Sequence, residues 1–274
     1  MEISFTKAQA VGNDFVIVES AELASAGLSD DDLPGFARNI CHRHCGIGAD
    51  GVEIVDSAAT AEADASIRLF NSDGSEAEIS GNGTRCVAAW LLDRGRPSPL
   101  RIATKAGVKA VRLIERRGMT FDLEMSMGRP SYRPEEIGCV IDTPLGSHEV
   151  TIVDVGNPQC ALLVDELEFD WRTLGREIEE HPRFPNRTNV SFVKVLGRHT
   201  IEVRFWERGA GETASSGTGS TGAVAAAILS RRAESPVTVV TPAGEMRLRW
   251  DDEIVLEGPA QLIASGRYLG GEAG

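Results

Sequence analysis

Apolar and polar residues alternate along residues 3–18, as in strands with one buried face, and the alternation breaks at the Gly12-Asn13-Asp14 turn. An asparagine tolerates the backbone of such a turn and leaves its amide free for a ligand, which makes Asn13 a candidate contact. Residues 33–45 carry helical spacing. Residues 52–55 and 66–70 read as strands, and residues 84–93 as a helix with Val87, Ala88, Leu91 and Leu92 at helical intervals and Gly95 beyond its end. Short strands are expected across 101–127. Gly128-Arg129-Pro130 punctuates the chain as a domain boundary would, and strands resume near Val140 and Val150. Residues 220–230 form an alanine-rich helix whose small side chains on several faces suit enclosure by other elements. The tail after Pro259 reads as one more strand.

This pattern occurs twice. Ser80 and Ser216 lie 136 residues apart, and the same offset aligns residues 71–76 with 207–212, Gly81-Asn82-Gly83-Thr84 with Gly217-Thr218-Gly219-Ser220, and Ile67 and Leu69 with Val203 and Phe205. Gly12-Asn13 likewise answers Gly156-Asn157. A repeat this long implies two similar domains, since solenoid repeats run to roughly 20–50 residues.

Each copy places a serine and a glycine-rich turn at a helix start. The first backbone N–H groups of a helix lack internal partners, and glycine lets a ligand approach them, so such a terminus favours an anion. Two such termini facing one cleft would grip one carboxylate, with Ser80 and Ser216 on opposite sides of the atom attached to it.

Composition narrows the function. The 274 residues are 42% hydrophobic, enough for two cores. A net charge of −13, a pI near 4.9 and only four lysines argue against nucleic acid as a partner. No apolar run approaches the length of a membrane span, and the N-terminal pattern is that of a strand rather than a signal peptide, so a cytoplasmic protein is expected. Five cysteines are then expected as reduced thiols. The run Cys41-His42-Arg43-His44-Cys45 invites a metal assignment, but its cysteines and histidines point to different helical faces and no second ligand cluster follows, so no metal is expected.

The phrases Gly12-Asn13-Asp14-Phe15, Gly46-Ile47-Gly48-Ala49-Asp50, residues 71–85, Gly156-Asn157-Pro158, Arg187-Thr188-Asn189-Val190 and residues 207–213 resemble the diaminopimelate epimerase family, in its order and spacing over almost the whole chain. The resemblance implies an α/β (α+β) fold like that of proline racemase. Two pseudo-symmetric domains, each a sheet wrapped around a central helix, would hold the active site in the cleft between them. Residues 1–127, completed by a C-terminal strand at about 262–274, would form one domain and residues 128–261 the other. It further implies a homodimer that converts LL- to meso-diaminopimelate, for lysine and peptidoglycan precursors, without pyridoxal phosphate, metal or other cofactor.

Carried over residue by residue, the resemblance makes Ser80, Ser216, Glu207 and Gln159 the catalytic positions. Asn71, Asn157, Asn189 and Arg208 would hold the distal carboxylate of a diamino-dicarboxylate, Glu207 would meet an ammonium group, and the amides around Gly81-Asn82 and Gly217-Thr218 would hold the reacting carboxylate. Three positions depart from the family: Ser80 and Ser216 stand where it has two cysteines, Gln159 where it usually has histidine, and Gly51 where it often has glutamine. A helix terminus contributes typically 0.3–1 and at most about 2 kcal/mol, too little to ionise a serine hydroxyl at pH 7. Three functions therefore stay open: a diaminopimelate epimerase with its thiols replaced, an isomerase or lyase of another amino acid, and a non-catalytic amino-acid-binding protein on the same scaffold.

Overall fold

The computed structural model describes residues 2–270 and resolves two units, Met1–Met125 with Pro259–Gly274, and Ser126–Gly258. In the first, β1 (Ile3–Ala10) and β2 (Asn13–Glu19) pair antiparallel. The helices α1 (Ser20–Ser25) and α2 (Leu33–Cys41) then lead to β3 (Gly51–Asp56), which lies parallel to β2. β4 (Ala65–Asn71) is antiparallel to β3 and to the short β5 (Glu76–Ala77). After α3 (Gly81–Asp93), β6 (Leu100–Thr104) runs parallel to β4, and β7 (Gly107–Arg117) and β8 (Thr120–Gly128) follow antiparallel.

The second unit repeats this order. β9 (Cys139–Thr143), β10 (Gly146–Asp154) and β11 (Pro158–Val164) are antiparallel, and after α4 (Trp171–Glu179) β12 (Asn189–Gly197) lies parallel to β11. β13 (Thr200–Glu207) is antiparallel to β12 and β14 (Gly211–Thr213). Beyond α5 (Gly217–Leu229), β15 (Val237–Thr241) runs parallel to β13, and β16 (Gly244–Trp250) and β17 (Ile254–Tyr268) follow antiparallel. Matching strands keep matching registers: Leu69 pairs with Ala77 as Phe205 pairs with Thr213, and Thr104 with Gly107 as Thr241 with Gly244. The later part of β17 pairs with β1, and β17 also pairs with β8, closing the sheet of the first unit.

In each unit the sheet surrounds one helix. Gly81 through Leu91 of α3 and Gly217 through Ala227 of α5 are buried without a break. In α5 glycine, alanine, serine and threonine make this possible, because a helix that is small on every side can take neighbours on every side, whereas α3 also buries Arg85 and Trp90. The opposite sheet face of the first unit carries α2, whose Leu33, Phe36, Ala37 and Ile40 pack on Val16, Val18, Val52, Ile54 and Phe70. In the second, Trp171, Leu174 and Ile178 of α4 pack on Cys160, Leu162, Val190 and Phe192. Each such side chain contributes about 1.5–3 kcal/mol on burial, so both sheets are fixed from two faces.

The boundaries differ from the periodicity in instructive ways. Both central helices begin earlier than expected, at Gly81 and Gly217, because burial and a serine cap outweigh glycine's poor helix propensity. α2 ends at Cys41 rather than continuing to residue 45, since His42 is extended. The last strand starts at Ile254, before Pro259, and residues 271–274 of the expected C-terminal strand lie outside the described residues. Among the described residues no helix is long and apolar enough to cross a membrane.

The close fit of α5 to its sheet is testable at Gly219. A Cβ there would lie 2.7 Å from Phe205 Cδ1 and 2.9 Å from Ser216 Oγ. Gly219→Ala is expected to cost about 1–3 kcal/mol of stability in urea denaturation; an unchanged midpoint would show that the helix has room to move.

Candidate active site

Ser80 and Ser216 are the N-cap residues of α3 and α5. Each has extended backbone, φ −122° and ψ 123° for Ser80 and φ −144° and ψ 124° for Ser216, and each Oγ accepts the amide three residues on, Gly83 and Gly219, at 3.0 Å. The hydroxyl therefore satisfies one of the unpartnered donors of a buried helix end. It also stands at the positive end of the helix.

In the second unit the surrounding candidates come together. Ser216 Oγ donates to Glu207 Oε1 at 2.5 Å, joining the end of β13 to the start of α5. Asn157 Nδ2 donates to Thr218 Oγ1 at 3.4 Å, and Gln159 Nε2 donates to Asn157 Oδ1 at 2.7 Å, so Gln159 serves to orient Asn157. Asn189 binds backbone at both ends, donating to the Pro158 carbonyl at 3.0 Å and accepting the Arg208 amide at 3.0 Å. Arg208 Nη1 reaches the Asn186 carbonyl at 3.4 Å. Sequence reasoning missed Glu179. This buried last residue of α4 accepts from Gly209 N at 2.9 Å, Trp206 Nε1 at 2.7 Å and Arg187 Nη1 at 3.3 Å, and so clamps the turn that carries Glu207 and Arg208.

The first unit uses the same frame with different chemistry. Asn82 Nδ2 approaches Asn13 Oδ1 at 3.5 Å, the counterpart of the Asn157–Thr218 contact, and Asn82 Oδ1 accepts from Arg85 Nη2 at 2.7 Å. Asn13 Nδ2 donates to Asp50 Oδ2 at 2.6 Å. Arg43 binds both Asp14 and Asp50, at 2.9 and 2.6 Å. Burial opposes ionisation of Asp14, but hydrogen bonds from Arg43 and Lys7 outweigh it and hold the carboxyl at about 2, while burial raises Asp50. The Asp-Arg lattice thus anchors Asn13, a role the sequence left unassigned. Asn71 occupies the place that Glu207 has in the second unit, and its amide donates to Ser75 Oγ at 3.0 Å within its own turn.

Glu53 was not anticipated. It lies in the apolar strand β3 with 0% exposure, and among the described residues neither carboxyl oxygen has a hydrogen-bond partner. Burial raises its pKa from 4.5 to about 8, which keeps it neutral at pH 7.

The cysteines do not replace the serines. Cys41, Cys86 and Cys160 are buried, and burial pushes all three thiols up, Cys41 to about 12. His42 Nδ1 accepts the amides of His44 and Cys45 and closes the turn after α2. Among the described residues no group of three or more His, Cys, Asp or Glu side chains is placed to hold a metal.

With this geometry in view, comparison with known proteins is decisive. The diaminopimelate epimerase family model matches residues 5–132 and 151–263. The chain belongs to the diaminopimelate epimerase family. It is 39% identical to the diaminopimelate epimerase of Pelotomaculum thermopropionicum over 279 residues, covering 96% of this chain and 98% of that one. The enzyme of the same name from Desulfitobacterium hafniense is 38% identical, with 98% of each chain covered. Among solved structures, a hydroxyproline epimerase from Agrobacterium vitis with bound trans-4-hydroxy-L-proline superposes with a TM-score of 0.75 at 16% identity, covering 98% of this chain and 91% of that one. A Bacillus anthracis phenazine biosynthesis protein of the PhzF family gives 0.67 at 16% identity, with 97% and 99% covered. At these identities the structures establish the shared two-domain fold.

The buried acid predicts a pH dependence. A carboxyl whose folded pKa is raised binds its proton more tightly in the native state, so its stabilising effect is complete below the unfolded value of 4.5 and is lost as pH rises to about 8. Glu53 is expected to lower the unfolding free energy by about 1.36 kcal/mol per pH unit across that window. Glu53→Gln should remove this slope in denaturation at pH 5, 7 and 9. An equal slope in both proteins would mean that Glu53 is ionised when folded.

Proposed function

We propose that the protein is a cofactor-independent amino-acid epimerase that interconverts LL- and meso-diaminopimelate, with Ser80 and Ser216 as the groups that exchange protons at Cα. The observation that carries this reading is the 2.5 Å bond from Ser216 Oγ to Glu207 on a hydroxyl that also accepts the Gly219 amide. A helix end alone does not ionise serine, but a carboxylate in contact accepts the hydroxyl proton as the oxygen takes one from carbon. Inversion removes a proton from one face of Cα and returns one to the other, and the duplicated chain supplies two serine-capped helix starts for the two tasks.

In this reading the amides around Gly81-Asn82 and Gly217-Thr218 hold the reacting carboxylate. Arg208, with Asn71, Asn157 and Asn189, holds the distal carboxylate; Asn189 contributes by fixing the Arg208 backbone. Asn13 and Gln159 orient Asn82 and Asn157. Residues 1–127 with the returning C-terminal strand, and residues 128–261, are the two halves of the duplication, and the protein works as a cytoplasmic homodimer.

Exchanging the acid/base atoms tests the reading. The double change Ser80→Cys and Ser216→Cys is expected to raise racemisation of diaminopimelate by orders of magnitude, because thiols ionise closer to the operating pH. Each single change should support deuterium exchange at Cα in one stereoisomer only, opposite for the two. If the double variant neither exchanges nor inverts diaminopimelate while the unmodified protein turns over a different amino acid, the serines belong to another chemistry.

A further inference from the structure

Glu53 stands out because the pseudo-symmetry shows what it replaces. On β3 it pairs with Leu69 of β4, and at the equivalent register of the second unit Ser191 of β12 pairs with Phe205 of β13. Ser191 Oγ donates to the Gly219 carbonyl, in the first turn of α5, at 3.5 Å. Glu53 lies beneath the matching first turn of α3. A Cβ on Gly83 would stand 1.9 Å from Glu53 Oε1 and 3.3 Å from Ser80 Cβ, so the absence of a side chain at residue 83 makes room for the carboxyl against the turn that Ser80 caps, with no hydrogen bond joining the two.

The surroundings leave this acid uncommitted. Ile17 and Leu69 flank it on β2 and β4. Burial alone accounts for the raised pKa of Glu53; the Cys86 thiol on α3 feels its charge, together with those of Arg85 on α3, Lys7 on β1 and Asp14 on β2. Arg85 donates to the Gly81 carbonyl at 3.2 Å and to Asn82, while Lys7 and Asp14 bind each other at 2.6 Å. Meanwhile β4 gives Ser80 no carboxylate, because Asn71 stands where β13 has Glu207. The carboxyl that packs against the first turn of α3 comes from the neighbouring strand β3 instead.

We propose that Glu53 is the proton store of the Ser80 half, acting through Ser80 rather than on the substrate. This rests on the reading that Ser80 exchanges a proton at Cα. As the Cα–H bond forms, the Ser80 O–H bond breaks; the serine O–H is re-formed with the proton of Glu53, which is left as a carboxylate. The reverse reaction returns the proton along the same route. Glu207, in contact with Ser216, then acts as the base of one half, and Glu53, buried against the first turn of α3, as the acid of the other.

The experiment uses Ser80→Cys as a reporter. Alkylation of the introduced thiol by iodoacetamide is followed by peptide mass spectrometry from pH 6 to 10, with and without Glu53→Gln. A carboxylate forming beside the thiol raises the thiol's pKa, so alkylation at pH 9 is expected to be at least threefold faster in the Gln variant, and a second step near pH 8 in the parent profile should vanish. In the serine protein, Glu53→Gln is expected to lower kcat for Cα exchange at least tenfold with KM unchanged. Superimposable thiol profiles overturn the proposal whether or not the protein turns over diaminopimelate. A Gln variant with full kcat overturns it as well. Coupled profiles in a protein that exchanges no Cα proton in any variant would instead uphold the pairing of Glu53 with position 80 and reject the function proposed above. Should Glu53→Gln fail to fold, Glu53→Leu carries the same comparison.

Discussion

The hydrogen bond from a serine hydroxyl to the amide three residues along, made once at Gly83 and once at Gly219, is the constraint on which the rest depends. A helix buried along its length brings its terminus, with unpaired N–H groups, into the interior, and such an end needs a local acceptor. Serine supplies it. The same bond fixes Oγ at the positive end of the helix, so the atom that stabilises the fold is held where an acid/base group is wanted. Glycine at residues 83 and 219 lets neighbouring strands approach this turn.

Around that shared frame the two units differ in charge rather than in topology. In the second, Glu207 touches Ser216 directly and Glu179 holds its turn. In the first, Asp14, Asp50 and Arg43 anchor Asn13, and the carboxyl near Ser80 comes from β3 as a buried, unpartnered Glu53. An internal duplication that conserves strand registers while exchanging polar side chains produces this kind of asymmetry. Inversion at carbon requires one, because at any moment one half must give a proton and the other take it.

Much of this was legible in the chain. The 136-residue offset between Ser80 and Ser216 predicted two like units, and periodicity located both central helices. The family resemblance holds under direct comparison. What escaped sequence reasoning depends on tertiary placement. The glycine-rich first turns of α3 and α5 read as loop because propensity is local, whereas their burial is not. His42 ended α2 through a turn that helical spacing does not register. Glu179 looks like an exposed member of an acidic run until Trp206 and Gly209 fold onto it. Glu53 did leave a signal, a single carboxylate inside the apolar run 52–55, but only the opposing helix reveals that it is buried without a hydrogen-bond partner among the described residues.

The central claim is that serine hydroxyls backed by carboxyl groups move protons at an amino-acid α-carbon. Its most direct test is incubation of the unmodified protein with LL- and meso-diaminopimelate in D₂O, with deuterium at Cα and stereochemistry followed by NMR and mass spectrometry. The account predicts incorporation at Cα accompanied by inversion, with free amino acids lacking the distal carboxylate exchanging far more slowly. Complete retention of the Cα proton in both stereoisomers, by a folded protein that binds diaminopimelate, would contradict it.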